Sequence, residues 1–352
     1  MPPQRHDDPA IEALRGFAAL VVVAAHYARF LTSEPGAWGF ASTGVDLFFV
    51  LSGYVFAPYF FGKPLAVGPH LVRRFFRLYP LYLLALLAYA GLKVPDPSAW
   101  SHFWAHVFMA HTLQSMEIAF FYNPAFWSLP PEVEFYLVLP LLAWALARRR
   151  FAWLFALALA LHLALALAGV PGEGATPRAL ATVHLPGLLI EFCLGAWAAT
   201  LARERSSGRA ALWRLAGGLA WLALMCVAYA ALIAGGRDQS APPWITGNIG
   251  LGAAVGYALV VSALATRADA LRDWRARLFL LAGQLSYGVY LFHNAAAQLV
   301  ERVWPQASGW PALLASLALT LLVSFALHHA VEAPARNFGR ELSRRMGRPL
   351  AA

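Results

Sequence analysis

Cysteine and charged residues are both scarce in this chain. Its two cysteines, Cys193 and Cys226, each lie inside an apolar run. Two isolated cysteines without a paired spacing exclude a disulfide framework and a thiolate zinc site. Charged residues make up 13% of the chain and hydrophobic residues 60%, whereas soluble domains carry about 25% charged residues. The composition therefore indicates an integral membrane protein.

A net charge of +9 does not imply a nucleic-acid partner here. The basic residues form short clusters between apolar runs, which is typical of the cytoplasmic loops of membrane proteins. The first apolar run follows Asp7 and Asp8 and lacks a small-residue cleavage site. We therefore expect a retained helix and not a cleaved signal peptide.

Ten apolar runs approach the 20 or so residues that cross a bilayer. They predict an all-α polytopic bundle that forms a single domain over residues 1–352, without an extra periplasmic domain and with a basic tail at about 333–352. The aromatic segment 100–121 is expected to be interfacial or re-entrant. The predicted spans are 11–31, 43–61, 74–92, 130–147, 152–169, 182–201, 212–234, 246–265, 279–301 and 311–332.

The distribution of basic residues predicts the orientation. With both termini in the cytoplasm, 21 of the 27 lysines and arginines fall in inner segments, five fall in outer segments and Arg15 lies in the first span. An eleventh span at 100–121 would invert every later loop and remove this bias. The five outer residues are Arg29, Lys93, Arg178, Arg237 and Arg302.

The first span carries a cation and a titratable base on one face. Arg15 and His26 are eleven residues apart, which corresponds to about 20° of rotation and roughly 16 Å of rise in a helix. Ionisable side chains inside a membrane span are costly and usually mark a pathway or a reaction site. This stripe is our leading candidate for a functional site.

Other spans carry further polar side chains. Given the predicted orientation, Asp46 and Glu132 should lie near the outer side with His26, and Glu134 close by. His293 should lie at middle-to-outer depth. Arginines of the RRFFRLYP segment should lie on the cytoplasmic side; they are Arg73, Arg74 and Arg77.

Simpler roles are open for each of these residues. Asp46 and Glu132 stand at helix starts, where a carboxylate can simply cap the helix. Membrane histidines can act as hydrogen-bonding contacts between helices, and arginine clusters can be ordinary interfacial anchors. We rank Glu191, His328, His329 and Glu332 lower, and His102, His106 and His111 lack the carboxylate pattern of a zinc site, so no metal is expected.

Five motifs occur in a characteristic order: Arg-x10-His, GVDLFFVLSGY, RRFFRLYP, WSLPPEVEFYL and LSYGVYLFH. Together they resemble the integral-membrane acyltransferase-3 family, whose members acylate O-antigen, other surface polysaccharides, nodulation factors and some antibiotics. The resemblance extends over all ten predicted spans. It implies acyl transfer from a coenzyme A thioester to a hydroxyl group. Two prolines precede Glu132 and a second carboxylate, Glu134, follows it, so which of the two carries the family's acidic role is open.

The resemblance and the chemistry together assign roles. The expected catalytic residues are His26 as general base, with Asp46 or Glu132 supporting its imidazole. The anionic donor is expected to bind arginine guanidinium groups, with the set Arg15, Arg73, Arg74, Arg77 and Ser52. The acceptor is expected to meet His293, Glu134, Tyr287 and Trp127.

The sequence thus predicts an acyl-CoA-dependent O-acyltransferase, most simply an acetyltransferase, in the bacterial inner membrane. The acceptor would be a carbohydrate or lipid-linked glycan at the outer face. The alternative is a proton-coupled transporter of an anionic or acyl substrate. The absence of inverted repeats and of paired broken helices in the sequence disfavours the transporter.

Overall fold

The computed structural model describes residues 8–33, 36–146, 150–168, 183–204, 208–234, 248–265 and 274–346, and within these ranges the chain is helical without strands. The α-helices are α1 Pro9–Tyr27, α2 Gly44–Phe60, α3 Val67–Lys93, α4 Phe103–Val107, α5 Met116–Phe120, α6 Leu129–Ala145, α7 Phe151–Ala168, α8 Leu185–Arg203, α9 Gly208–Ala234, α10 Ile249–Ala265, α11 Trp274–Val303, α12 Gly309–Leu327 and α13 Ala333–Met346. A π-helical turn, His328–Glu332, joins the last two helices. The predicted all-α membrane fold is confirmed.

Each of the ten predicted spans coincides with a helix in the described residues. Among the residues that the structure describes, seven helical segments are long and apolar enough to cross a membrane. The remaining three coincide with α6, the shorter apolar helix α10 and α11. The total of ten and the orientation of the termini stay predictions. Arg178 and Arg237, on which part of the orientation argument rests, lie outside the described residues.

The chain divides into two compact units, each of which is described by itself. Unit 1 comprises residues 1–58, 152–170 and 186–290, and unit 2 comprises residues 59–151, 171–185 and 291–352.

Unit 1 is held together by very close helix packing. A Cβ atom on Gly53 of α2 would overlap the carbonyl oxygen of Phe192 in α8, and a Cβ on Gly195 would overlap that of Val50. Small residues allow helix backbones in a membrane to approach in this way, where van der Waals packing replaces the hydrophobic effect as the driving force. Gly53 of α2 and Gly195 of α8 therefore fix the α2–α8 pair.

Unit 2 contains a segment that folds back along α3. The backbone carbonyls of Val107 and His106 accept hydrogen bonds from Tyr79 and Tyr82, which lie near the middle of α3. Residues 97–128 consist of short helical turns, so they cannot span a membrane themselves. Their return brings the start of α6 beside the middle of α3, since Phe126 packs on Tyr82 with the ring centroids 5.1 Å apart.

Candidate functional site

The Arg15/His26 stripe faces the interior of unit 1. The exposed side chains of α1 include Phe17 and Leu20, which lie about 200° and 140° round the helix from Arg15. Val22, which is buried, lies within about 20° of that stripe. The stripe therefore points away from the exposed face of α1.

Arg15 has an acidic partner on its own helix. Its guanidinium forms an ion pair with Glu12, one turn earlier, and Gly283 of α11 packs directly against the Glu12 side chain. The Glu12 side chain is 10% exposed and that of Arg15 is 16% exposed. The pair is mostly withdrawn from water, and the carboxylate directs the guanidinium.

His26 is oriented by a backbone carbonyl. Its Nδ1 lies 2.9 Å from the carbonyl oxygen of Val22. A carbonyl oxygen can only accept, so this hydrogen bond places the proton on Nδ1 and leaves the lone pair on Nε2. The imidazole thereby takes the tautomer that a general base requires. The carbonyl of Val22 thus orients His26, a role that we expected the carboxylate of Asp46 or Glu132 to have.

Asp46 does not support His26 in the described structure. Its side chain is hydrogen-bonded to Glu191 of α8, and Gly250 of α10 packs against one of its oxygens. Two carboxyl groups that share a hydrogen bond must hold at least one proton between them. The pairing shows why Glu191 belongs with Asp46, although from sequence we ranked Glu191 lower. Ser52 is half-buried and lies six residues further along α2.

The three arginines of the α3 cluster lie on two different faces of that helix in unit 2. The guanidinium of Arg74 lies over the ring of Tyr136 in α6, 5.5 Å from its centroid. Tyr136 in turn donates a hydrogen bond to Glu132. Arg73 and Arg77 lie on a different face of α3 and are half-buried.

Glu132 therefore lies beside the arginine-rich first half of α3. From sequence we expected it near the outer side of the membrane, and that depth stays a prediction. The returning segment 97–128 delivers the start of α6 to the middle of α3. The carboxylate, phenol and guanidinium of Glu132, Tyr136 and Arg74 form one polar cluster.

Glu134 has a different set of contacts from Glu132. It accepts a hydrogen bond from the backbone N–H of Leu185 at 2.8 Å and forms an ion pair with the side chain of His184. Both oxygens of Glu134 are thus engaged by the chain segment that leads into α8. Of the two candidate carboxylates, Glu132 is the one that the structure places with the arginines.

His293 lies in unit 2 beside an opened turn of α11. The hydroxyl of Tyr89 donates to the carbonyl of Leu291 at 3.0 Å and accepts from the N–H of Ala295 at 2.9 Å. The phenol hydroxyl therefore replaces the direct hydrogen bond that an α-helix forms from the N–H of Ala295 to the carbonyl of Leu291. Asn123 also donates to the Leu291 carbonyl. His293 is fully buried within this turn.

The expected acceptor residues do not all fall in one unit. His293, Glu134 and Trp127 lie in unit 2, whereas Tyr287 lies in unit 1. Trp127 and Tyr287 are both half-buried. Of the catalytic and donor candidates, Arg15, His26, Asp46 and Ser52 belong to unit 1, and the α3 arginines with Glu132 belong to unit 2.

The histidines of the returning segment form a buried stacked pair. The rings of His106 and His111 are parallel with centroids 4.2 Å apart, and both side chains are fully buried. Burial lowers the pKa of His106 to about 4. Burial together with the neighbouring His106 lowers the pKa of His111 to about 3. Both imidazoles are neutral at neutral pH.

A metal centre is not part of this arrangement. Among the described residues, no group of three or more histidine, cysteine, aspartate or glutamate side chains is placed to hold a metal ion.

Three further candidates, in addition to Glu191, were missed from sequence. Glu12 stands three residues before Arg15, and Tyr136 stands four residues after Glu132, so helical spacing alone could have found both. His184 lies in a loop, where no local pattern indicates its contact with Glu134.

Comparisons with known proteins identify the family of the chain. Residues 8–329 match the family described as "Acyltransferase domain". The chain belongs to this acyltransferase-3 family, and the resemblance found in its motifs is confirmed. It is a multi-pass membrane acyltransferase.

Two relatives are similar to the chain. Acyltransferase MdmB of Streptomyces mycarofaciens is 29% identical over 391 residues, covering 100% of this chain and 96% of the relative. Protein 2 in picA locus of Rhizobium radiobacter is 41% identical over 95 residues, covering 26% of this chain and 47% of that protein. No solved structure matches the chain significantly.

Proposed function

We propose that this acyltransferase moves an acyl group, most simply acetyl, from acyl-CoA to a hydroxyl of a carbohydrate or lipid-linked glycan, with His26 as general base. The observation that carries the proposal is the orientation of His26. Its Nδ1 is committed to the Val22 carbonyl, so Nε2 presents a lone pair on the inward face of α1. The proposed membrane is the bacterial inner membrane, with the acceptor at its outer face.

The proposed reaction conserves protons. Nε2 of His26 takes the proton of the acceptor hydroxyl as its oxygen attacks the thioester carbonyl. The carbon–sulfur bond then breaks, and the imidazolium returns the proton to the thiolate of coenzyme A. The products are an ester and free coenzyme A. A general base placed in this way contributes about 10²- to 10⁴-fold to a rate.

Arginines supply the proposed donor recognition. Guanidinium groups bind phosphate through two parallel hydrogen bonds and keep their charge at any physiological pH. Arg73, Arg74 and Arg77 are assigned to the nucleotide phosphates. Arg15 lies roughly 16 Å along α1 from His26, a span comparable with a pantetheine arm, and Glu12 holds its side chain in place.

Release of coenzyme A tests this proposal. Purified protein in proteoliposomes is given acetyl-CoA with and without a glycan acceptor, and free thiol is measured with a chromogenic disulfide. The proposal predicts thiol release that depends on both substrates. A proton-coupled transporter would release no thiol, and that outcome with folded protein would reject acyl-CoA as the donor.

A further inference from the structure

The C-terminal helix α13 packs antiparallel against the first half of α3, within unit 2. Gly68 near the start of α3 lies against Met346 at the end of α13, and Phe76 packs on Gly339. Because Gly339 has no side chain, the two backbones approach closely at this point. The Phe76–Gly339 contact fixes how each helix is rotated about its own axis.

Two pairs of arginines have matching positions relative to this contact. On α3, Arg73 lies three positions before Phe76 and Arg77 lies one position after it. On α13, Arg336 lies three positions before Gly339 and Arg340 lies one position after it. These offsets correspond to about 60° and 100° of rotation. Two antiparallel helices are related by a two-fold axis perpendicular to the plane that contains both helix axes. Rotation about this axis exchanges the helices and leaves each residue on the same side of that plane. The four arginines therefore line the same edge of the helix pair.

The arginines also alternate along this edge. Along the helix axes, Arg77 lies midway between Arg336 and Arg340. Arg73 lies midway between Arg340 and Arg344. At 1.5 Å per residue, the set covers about 12 Å along the helix axes. We call it the arginine groove, and it consists of Arg73, Arg77, Arg336, Arg340 and Arg344.

The opposite edge of the same helix pair is aromatic. Phe75 and Phe338 each precede the contact residue of their helix by one position, so they share the other side. They are 50% and 59% exposed, which suits contact with lipid. The arginine groove is therefore turned away from the apolar edge.

One groove arginine, Arg336, pairs with a buried carboxylate. Glu332 is 3% exposed and pairs with Arg336 at 3.5 Å and with His328 at 3.0 Å. Within the described part of the chain, no acidic partner is seen for Arg73 or Arg344. Glu341 pairs with Arg345 at 3.1 Å, away from the groove. Arg73 on α3 and Arg344 on α13 therefore place positive charge on this edge from both helices.

We propose that α13 supplies the second wall of the phosphate-binding site, so that the arginine groove grips the phosphate groups of the donor from both helices. This inference rests on the proposed function and extends it beyond the arginine motif of α3. Charge-assisted hydrogen bonds from guanidinium to phosphate supply the recognition. Anionic lipid headgroups carry the same chemistry, so the test separates the two sources.

The test compares arginines of one helix on different sides. Arg340→Gln and Arg344→Gln remove groove charges, and Arg345→Gln removes an equal charge outside the groove. Coenzyme A and phosphate-free pantetheine are titrated calorimetrically into the full-length protein in neutral detergent. We expect the Kd for coenzyme A to rise about three- to tenfold for each groove variant, since these side chains are partly solvated. We expect less than a twofold change for Arg345→Gln, and no variant should alter pantetheine binding.

Three outcomes would overturn the inference. If Arg340→Gln and Arg345→Gln bind coenzyme A equally well while Arg73→Gln weakens binding, α13 is not a wall of the site and the proposed function stands. If the folded wild-type protein binds no coenzyme A, both proposals fail. If the groove variants change only retention in phosphatidylglycerol nanodiscs compared with phosphatidylcholine nanodiscs, the groove serves lipid and not the donor.

Discussion

The buried pair His106 and His111 predicts a strong dependence of stability on pH. The pKa values of the two imidazoles in the folded protein are about 4 and about 3, whereas an unfolded histidine titrates near 6.5. Between pH 6.5 and about 4, the unfolded chain binds protons that the folded protein does not, so stability falls as the pH falls. Above pH 6.5 both states are neutral and the pair contributes no pH dependence.

The expected magnitude follows from linkage. Each histidine lowers the free energy of unfolding by about 1.4 kcal/mol for each pH unit below 6.5. At pH 4.5 the two together amount to on the order of 5 kcal/mol, a large part of the 5–15 kcal/mol that typically separates folded from unfolded proteins.

Thermal unfolding in detergent between pH 7.5 and 4.5 measures this effect. Replacement of both residues, His106→Gln with His111→Gln, should flatten the dependence of Tm on pH, whatever it does to Tm at pH 7.5. His102→Gln removes an imidazole from the same segment as a control. If the double variant and the wild type lose Tm equally on acidification, the reasoning from the buried pair is refuted.

Substitutions at three further positions test the packing. Gly53→Ala should destabilise unit 1 by several kcal/mol, since the new methyl would overlap the Phe192 carbonyl; an unchanged Tm would contradict the packing. Asp46→Asn should retain stability because an amide can supply the hydrogen to Glu191, whereas Asp46→Ala should lower the folded yield in size-exclusion chromatography; equal yields would refute the carboxyl pair. Tyr89→Phe should cost about 1–3 kcal/mol because it removes two buried hydrogen bonds, and hydrogen exchange at Ala295 no faster than in the wild type would contradict this.

Sequence patterns predicted those features that depend on local periodicity. The ten apolar runs coincide with helices because hydrophobicity over about 20 residues dominates the choice in lipid. The common face of Arg15 and His26 follows from their eleven-residue spacing, which is close to three helical turns.

Contacts between distant segments could not be read in the same way. The depth of Glu132 depends on how residues 97–128 fold back along α3, and no periodic pattern specifies that path. The pairing of Asp46 with Glu191 joins two helices that are far apart in sequence. The amphipathic pattern of α13 shows that one face is buried but does not identify α3 as the partner.

Transfer of a labelled acyl group by variants of His26 tests the central claim most directly. Proteoliposomes containing wild-type protein or His26→Ala, matched for folded protein, receive [¹⁴C]acetyl-CoA and a glycan acceptor, and alkali-labile label on the glycan is counted. We predict labelled ester with the wild type and a loss of at least about 10²-fold with His26→Ala. Transfer by folded His26→Ala at the wild-type rate would contradict the account.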